Sequence, residues 1–86
     1  MDLIKKNLGS TRLIIGTEQT IKQLQNGKVA TVFISSNCPA SVREDLLRYA
    51  KMADAEVLEL EQSNEELGAV CRKPFLISVL CLKKDG

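Results

Sequence analysis

Thr31-Val-Phe-Ile-Ser-Ser-Asn-Cys-Pro-Ala-Ser41 places an uncharged, β-forming run directly before the start of a helix. Residues 32–34 are all apolar, which predicts a strand that is buried on both faces. Pro39 cannot continue a hydrogen-bonded ladder and suits the first turn of a helix. A strand, a short polar turn and a helix form the unit in which α/β proteins place ligands. Asn37 and Cys38 therefore fall at a candidate ligand edge.

The remaining chain alternates between helical and strand periodicity. Capping residues (Thr17 and a Ser63–Glu66 capping box) and an Asn26-Gly27 stop signal mark the helix ends, and β-forming runs mark the strands. We predict, in chain order, helix Met1–Leu8, strand Arg12–Ile15, helix Glu18–Gln25, strand Val29–Ser35, helix Pro39–Met52, strand Glu56–Leu60, a helix from Ser63 that ends by Pro74, strand Phe75–Leu82 and a polar tail over Lys83–Gly86. This order predicts an α/β protein, a three-layer α/β/α sandwich around a mixed four-stranded sheet.

Composition restricts the class of protein. The chain has 86 residues, 44% hydrophobic and 27% charged, so residues 1–86 are expected to form one soluble domain. Twelve basic and eleven acidic residues give a net charge of +1, which argues against a long basic groove but allows a compact nucleic-acid site. Because the sequence shows neither a long apolar run nor a signal peptide, we expect no membrane association and no export by that route.

The cysteines Cys38, Cys71 and Cys81 form no C-x-x-C pair, and the chain has no histidine. A zinc site and histidine-dependent catalysis are therefore not expected, and the thiols are expected to be reduced in a cytosol. Cys71 and Cys81 are expected to be small buried apolar residues. Cys38 lies at a strand end and a helix start, where thiol pKa values fall. A small redox or phosphocarrier enzyme that uses Cys38 is therefore one alternative.

Several segments resemble a known family. They are Leu13-Ile-Ile-Gly16-Thr-Glu-Gln-Thr-Ile-Lys22, Gly27-Lys28, Ser36-Asn-Cys-Pro-Ala40 and Asn64-Glu-Glu-Leu-Gly68. In order and spacing they are similar to the large-subunit ribosomal protein family L30e, within the L7Ae superfamily of kink-turn RNA-binding proteins. The resemblance extends from about Leu13 to Leu82. A kink-turn is a sharply bent RNA internal loop with tandem G·A pairs and an extruded nucleotide, which exposes base edges that a duplex hides.

The resemblance implies an RNA-binding surface built from loops at one end of the sandwich. By position it comprises Gly16, Thr17, Glu18, Gln19, Lys22, Asn37, Leu67, Gly68, Arg72, Lys73, Phe75 and Ile77. In this reading Phe75 stacks on or packs against an extruded base, and Ile77 adds an apolar contact. Alternatively, Phe75 is a core residue of the apolar strand that it begins. Asn37 and Gln19 read base edges, although Asn37 alternatively serves only as a helix cap. Glu18 stands where many ribosomal members carry a basic residue, which places a carboxylate near RNA phosphates.

The implied function is that of a non-catalytic component of the large ribosomal subunit, located in the cytoplasm of an archaeon or a eukaryote. The implied partner is ribosomal RNA with a kink-turn or similar loop, together with possible neighbouring ribosomal proteins. No cofactor, metal or small-molecule substrate is expected. A second alternative is a protein-interaction member of the same superfamily, which the near-neutral charge allows.

Overall fold

The computed structural model describes residues 2–84, in which helices and strands alternate along the chain. The helices are α1 (Asp2–Lys6), α2 (Thr17–Gln25), α3 (Ala40–Ala53) and α4 (Asn64–Val70). The strands are β1 (Leu13–Ile15), β2 (Val29–Ile34), β3 (Glu56–Glu59) and β4 (Val79–Lys83). The predicted order of elements is confirmed. The Met1 end of the first predicted helix and the Asp85-Gly86 end of the predicted tail lie outside the described residues.

The strands form one mixed sheet in the order β1-β4-β2-β3. β4 is antiparallel to β1 and β2, whereas β2 and β3 are parallel. Ile15 pairs with Leu80, and Ile34 pairs with Val79. The carboxyl ends of β1 and β2 therefore meet the amino end of β4 at one edge of the sheet, which we call the upper edge. The opposite ends of these strands form the lower edge.

Helices cover both faces of the sheet, which confirms the three-layer α/β/α sandwich. On one face, α2 and α3 pack against β2 and β4 around Leu24, Val32, Leu46 and Cys81. On the other face, α1 and α4 pack against the same strands; this core contains Ile4, Phe33, Leu67, Cys71, Leu80 and Leu82. Residues on β2 and β4 alternate between the two cores because successive strand side chains point to opposite faces. Both faces of the central strands are therefore buried, as the apolar run over residues 32–34 predicted.

The last strand is shorter at its start than predicted. The prediction of a strand over Phe75–Leu82 is wrong for its first four residues, because β4 begins at Val79. The partner strands end at Ile15 and Ile34, so no ladder extends far beyond Val79. The backbone N–H of Ile77 instead donates to the carbonyl oxygen of Asn64 at 3.0 Å. The segment Phe75–Ser78 is thus a loop fastened to the start of α4.

Helix ends agree with the sequence in part. The Ser63–Glu66 capping box is present at α4, with both reciprocal hydrogen bonds at 3.2 Å. Thr17 does not cap α2, because this helix begins after Gly16. Asn37 does not cap α3, because that helix begins after Pro39. Neither helix start has a side-chain capping bond. The predicted polar tail also loses Lys83, which belongs to β4. Within residues 2–84, no helix combines the length and apolar character needed to span a bilayer.

Candidate functional site

The upper edge gathers the starts of three helices around a common end of the sheet. Gly16 donates its backbone N–H to Val79 O at 2.9 Å, and Ser35 donates to Ser78 O at 2.9 Å. Ser36 donates to Gln62 O at 2.8 Å, which fastens the turn before α3 to the segment before α4. Four connecting segments that are far apart in sequence are therefore joined by backbone hydrogen bonds into one surface.

Gly16 turns the chain from β1 into α2 with φ 114° and ψ 150°. This region of backbone space is accessible almost only to glycine. Its carbonyl oxygen accepts the N–H of Thr20 at 3.0 Å, so the helix begins immediately after it. The first N–H groups of a helix have no intrahelical acceptor. The N–H groups of Thr17, Glu18 and Gln19 therefore form a partly positive helix start at the upper edge.

Asn37 is oriented by a reciprocal pair of hydrogen bonds with Asn64. Its Nδ2 donates to Asn64 Oδ1 at 2.9 Å, and its Oδ1 accepts the backbone N–H of Asn64 at 2.8 Å. The side chain is therefore not the cap of α3, whose N-cap is Pro39. Because an amide has two donors and two acceptor positions, Asn37 retains one N–H and one lone pair for a ligand. The exposed amide is thus held in place while it keeps unused hydrogen-bonding capacity.

Gly68 controls the position of the loop between α4 and β4. A Cβ atom at Gly68 would overlap the carbonyl oxygen of Phe75 and lie 3.4 Å from its carbonyl carbon. The loop backbone therefore rests directly on the helix. Phe75 and Leu76 are consequently held at the surface, with 54% and 63% of their areas exposed.

The same loop begins with a Schellman motif whose C′ position is an arginine. Lys73 N–H donates to Gly68 O at 2.9 Å, and Arg72 N–H donates to Ala69 O at 3.1 Å. Arg72 has φ 58°, in the left-handed region that glycine usually occupies at this position. The backbone thus places an arginine and a lysine together at the surface, at a cost in conformational strain.

That strain gives a first prediction. We expect Arg72→Gly to raise the free energy of unfolding by about 0.5–1 kcal/mol, because relief of left-handed strain exceeds the added flexibility of glycine. Urea denaturation of the variant beside the wild type measures the change. Lys73→Gly, one residue further along, is the control and is expected to give no stabilisation. An unchanged or lower stability in Arg72→Gly would contradict the strain argument.

A groove of about 460 Å³ joins these loops. It is lined by Ile15, Gly16, Thr17, Lys73, Phe75, Leu76, Ile77 and Ser78. One wall is the turn into α2, and the other is the loop before β4, with exposed apolar side chains beside a lysine. This combination suits a ligand that offers both a flat apolar surface and a negative charge.

The structure distributes the predicted site residues unevenly. Gly16, Thr17, Lys73 and Phe75 meet in the groove. Glu18 and Gln19 are exposed in the first turn of α2, and Asn37 and Arg72 are exposed on loops at the upper edge. Lys22 is exposed but belongs to the last turn of α2, about 8 Å of helix rise from Thr17.

Two apolar members of the predicted set are buried. Leu67 is fully buried, and Ile77 is 2% exposed. Their side chains pack in the core between α4 and the sheet. The apolar ligand contact expected from the Ile77 side chain is therefore not available, and this expectation is corrected. Its backbone still lines the groove, where the exposed Leu76 supplies the apolar side chain instead.

Sequence reasoning missed Leu76 and Asn64. Leu76 was placed inside a buried strand, and only Pro74 with its two preceding charges marked the segment as a loop. Asn64 belongs to one of the segments that resemble the family, but the sequence assigns no role to its side chain. Its contact with Asn37 joins residues 27 apart in sequence, which local periodicity does not show.

The thiol of Cys38 is not activated. Burial raises its pKa above the ordinary thiol value, and Arg43 offsets this effect only in part. Burial also raises the pKa values of Cys71 and Cys81, which are buried as predicted. Residues 2–84 bring no group of three potential metal-ligating side chains together. The geometry therefore gives no support to a reactive thiolate.

A second prediction follows for this thiol. Because the raised pKa keeps Cys38 protonated near neutral pH, iodoacetamide should alkylate the native protein more slowly than free cysteine at pH 7. The rate should rise steeply only as the pH passes the ordinary thiol pKa. Cys38→Ser is the control, since the two remaining thiols are buried. Rapid labelling of Cys38 at pH 7 would restore the enzyme alternative.

Fold and site together define an α/β/α domain whose candidate ligand surface is the loop-covered edge of a mixed sheet. Residues 1–86 match the family described as the Ribosomal protein L7Ae/L30e/S12e/Gadd45 family, and the chain belongs to it. This confirms the resemblance found in the sequence. Membership of a family of ribosomal proteins also agrees with the prediction of a non-catalytic chain.

Individual relatives are similar over most of the chain. The chain is 38% identical over 74 residues to the large ribosomal subunit protein eL30 of Methanopyrus kandleri, covering 86% of this chain and 68% of that protein. It is 35% identical over 83 residues to the eL30 protein of Sulfolobus acidocaldarius, covering 96% of this chain and 80% of that protein.

Two solved structures share the fold. A protein with unknown function from Bacillus halodurans superposes with a TM-score of 0.86 at 26% identity, covering 99% of this chain and 84% of that one. The Giardia lamblia 15.5kD RNA binding protein superposes with a TM-score of 0.86 at 20% identity, covering 98% of this chain and 70% of that one.

Proposed function

We propose that this protein is a component of the large ribosomal subunit that binds ribosomal RNA at a kink-turn or similar bent internal loop. The observation that carries the proposal is the surface at the upper edge, where the start of α2, the clamped Asn37 amide and the exposed Phe75-Leu76 pair converge. The relatives named eL30 support the ribosomal assignment. Ribosomal RNA is then the partner, and the cytoplasmic ribosome is the location.

Each part of this surface matches one feature of a bent RNA. The free N–H groups at the start of α2 donate hydrogen bonds to a phosphate, which Gly16 allows to approach the backbone closely. The unused donor and acceptor of Asn37 read the edge of a G·A pair. Phe75 and Leu76 pack against the extruded base, and Arg72 and Lys73 contact phosphates beside the kink.

The protein acts by selecting one RNA conformer. A kinked internal loop brings phosphates together, which is electrostatically unfavourable in the free RNA. Contacts made only with the bent form shift the equilibrium towards it by the difference in binding free energy between the two forms. Because Lys22, Arg72 and Lys73 supply few cationic contacts, the log–log salt slope should be about −2 to −4.

The experiment is a titration of the protein against a labelled kink-turn RNA, with a straight RNA duplex of equal length for comparison. We expect tight binding to the kink-turn and a loss of about 10- to 100-fold in Asn37→Ala, which corresponds to about 1.4–2.8 kcal/mol of lost hydrogen bonding. Asn26→Ala, the same substitution at the carboxyl end of α2, is the control and should leave affinity unchanged.

The outcomes separate the alternatives. Equal and weak binding to both RNAs would reject kink-turn recognition and favour the protein-interaction alternative. Selective binding that Asn37→Ala leaves intact would retain the function but remove Asn37 from the interface. A salt slope near −8 would show a much larger electrostatic surface than the compact site described here.

A further inference from the structure

A second group of cations lies at the lower edge of the sheet, away from the proposed RNA site. Arg12 and Lys83 occur at adjacent ends of β1 and β4, and Lys28 precedes β2 beside Lys84. β4 extends four residue steps from Val79 to Lys83, or about 13 Å, so this lower-edge cluster is separate from the upper edge.

Backbone hydrogen bonds join the four residues in two pairs. Lys83 N–H donates to Arg12 O at 2.8 Å, and Lys84 N–H donates to Lys28 O at 2.8 Å. Arg12 also donates Nε and Nη2 to Lys83 O, at 3.3 and 3.2 Å. These bonds use two of the five guanidinium N–H donors, so three remain for a ligand.

The arrangement places like charges side by side. Leu13 pairs with Leu82, so Arg12 and Lys83 are the next cross-strand neighbours in the antiparallel ladder. Like charges at such positions destabilise a sheet. Among residues 2–84, the ion pairs are Arg43–Glu59 and Arg48–Asp45, so none of the described carboxylates forms an ion pair with the cluster. An anionic partner would remove this repulsion.

We propose that the lower-edge cluster of Arg12, Lys28, Lys83 and Lys84 binds the phosphate backbone of a second RNA segment. Closely spaced Arg and Lys side chains are sufficient for phosphate neutralisation. Stable protein interfaces instead depend on aromatic or apolar anchors, whereas the four side chains of the cluster are all cationic. The protein then joins two RNA segments, one at each edge of its sheet. This surface differs from the proposed kink-turn site, so each can be tested separately.

The test measures binding of a labelled straight RNA duplex to protein that has been saturated with unlabelled kink-turn RNA. We expect a salt slope of about −3 to −4 for four phosphate contacts. Lys28→Glu/Lys84→Glu should weaken duplex binding at least tenfold and leave kink-turn affinity within twofold. The melting temperature of this double variant should equal or exceed that of the wild-type protein, because the substitutions remove like-charge repulsion.

Arg72→Glu/Lys73→Glu is the matched variant, with the same change in net charge on the loop at the upper edge. It should weaken kink-turn binding and leave duplex binding to the free protein unchanged. Equal loss of duplex binding in both variants would overturn the proposal, since it would indicate a nonspecific charge effect. Competition by polyglutamate as effective as that by RNA would also overturn it and point to an acidic protein.

If the wild-type protein fails to bind the kink-turn RNA, the proposed function fails, and the duplex experiment is then run on free protein.

Discussion

Gly68→Ala is expected to lower the free energy of unfolding by about 2–3 kcal/mol and to weaken RNA binding about tenfold or more. An added methyl group usually stabilises an open helix position by about 1 kcal/mol relative to glycine. Here the methyl group overlaps the carbonyl oxygen of Phe75, which is backbone and has no rotamer to change. The loop must therefore move as a unit, carrying Phe75 and Leu76 away from the turn at Gly16. Urea denaturation and a kink-turn titration measure the two effects.

Ala69→Gly separates the two causes of weaker binding. Ala69 is exposed on the same helix, and its replacement should cost about 1 kcal/mol of helix propensity without moving the loop. If Ala69→Gly retains full RNA affinity while Gly68→Ala loses it, then loop position rather than stability controls binding. A Gly68→Ala protein more stable than the wild type would contradict the close packing of the loop on α4.

The layers of the fold were predictable because each depends on local periodicity. The apolar run over residues 32–34, the helical stripe of α3 and the Ser63–Glu66 capping box all act within a few residues. The start of β4 was not predictable in this way. Phe75–Ser78 has the composition of a strand, but strand pairing requires partners, and β1 and β2 have already ended at that level.

The sequence predicts the parts of the candidate site that depend on one residue and its neighbours along the chain. Gly16 follows a strand and precedes a helix, so its turn could be inferred from sequence. The left-handed backbone conformation of Arg72 could not be predicted, because a Schellman motif is normally signalled by glycine, which is absent at that position. The Asn37–Asn64 clamp depends on tertiary structure, and so does the burial of Ile77, which strand alternation alone does not distinguish from exposure.

Gly16→Ala is expected to destabilise the protein by about 2–3 kcal/mol through the backbone alone. Apart from Gly16 itself and its two chain neighbours, no heavy atom would lie within 4 Å of a Cβ at this position, so steric overlap with the rest of the fold is not the cause. The cause is the combination of φ 114° and ψ 150°, which an alanine adopts only with strain. Relief of that strain would rotate the first turn of α2 and move its free N–H groups, so kink-turn affinity should fall about tenfold or more.

Gly27→Ala isolates this effect, because Gly27 also has open space around it but lies at φ 67°, within the ordinary left-handed range. That substitution should cost only about 1–2 kcal/mol. Gly27 follows α2 at its carboxyl end, so RNA affinity should be unchanged. Thermal or urea denaturation ranks the two variants, and the RNA titration compares their affinities. Equal destabilisation with equal affinity would mean that the turn at Gly16 has no special role. Loss of binding in Gly16→Ala alone would support the start of α2 as a phosphate contact. Gly27→Ala would then be destabilised yet still bind RNA, so lower stability by itself would not explain the loss of affinity.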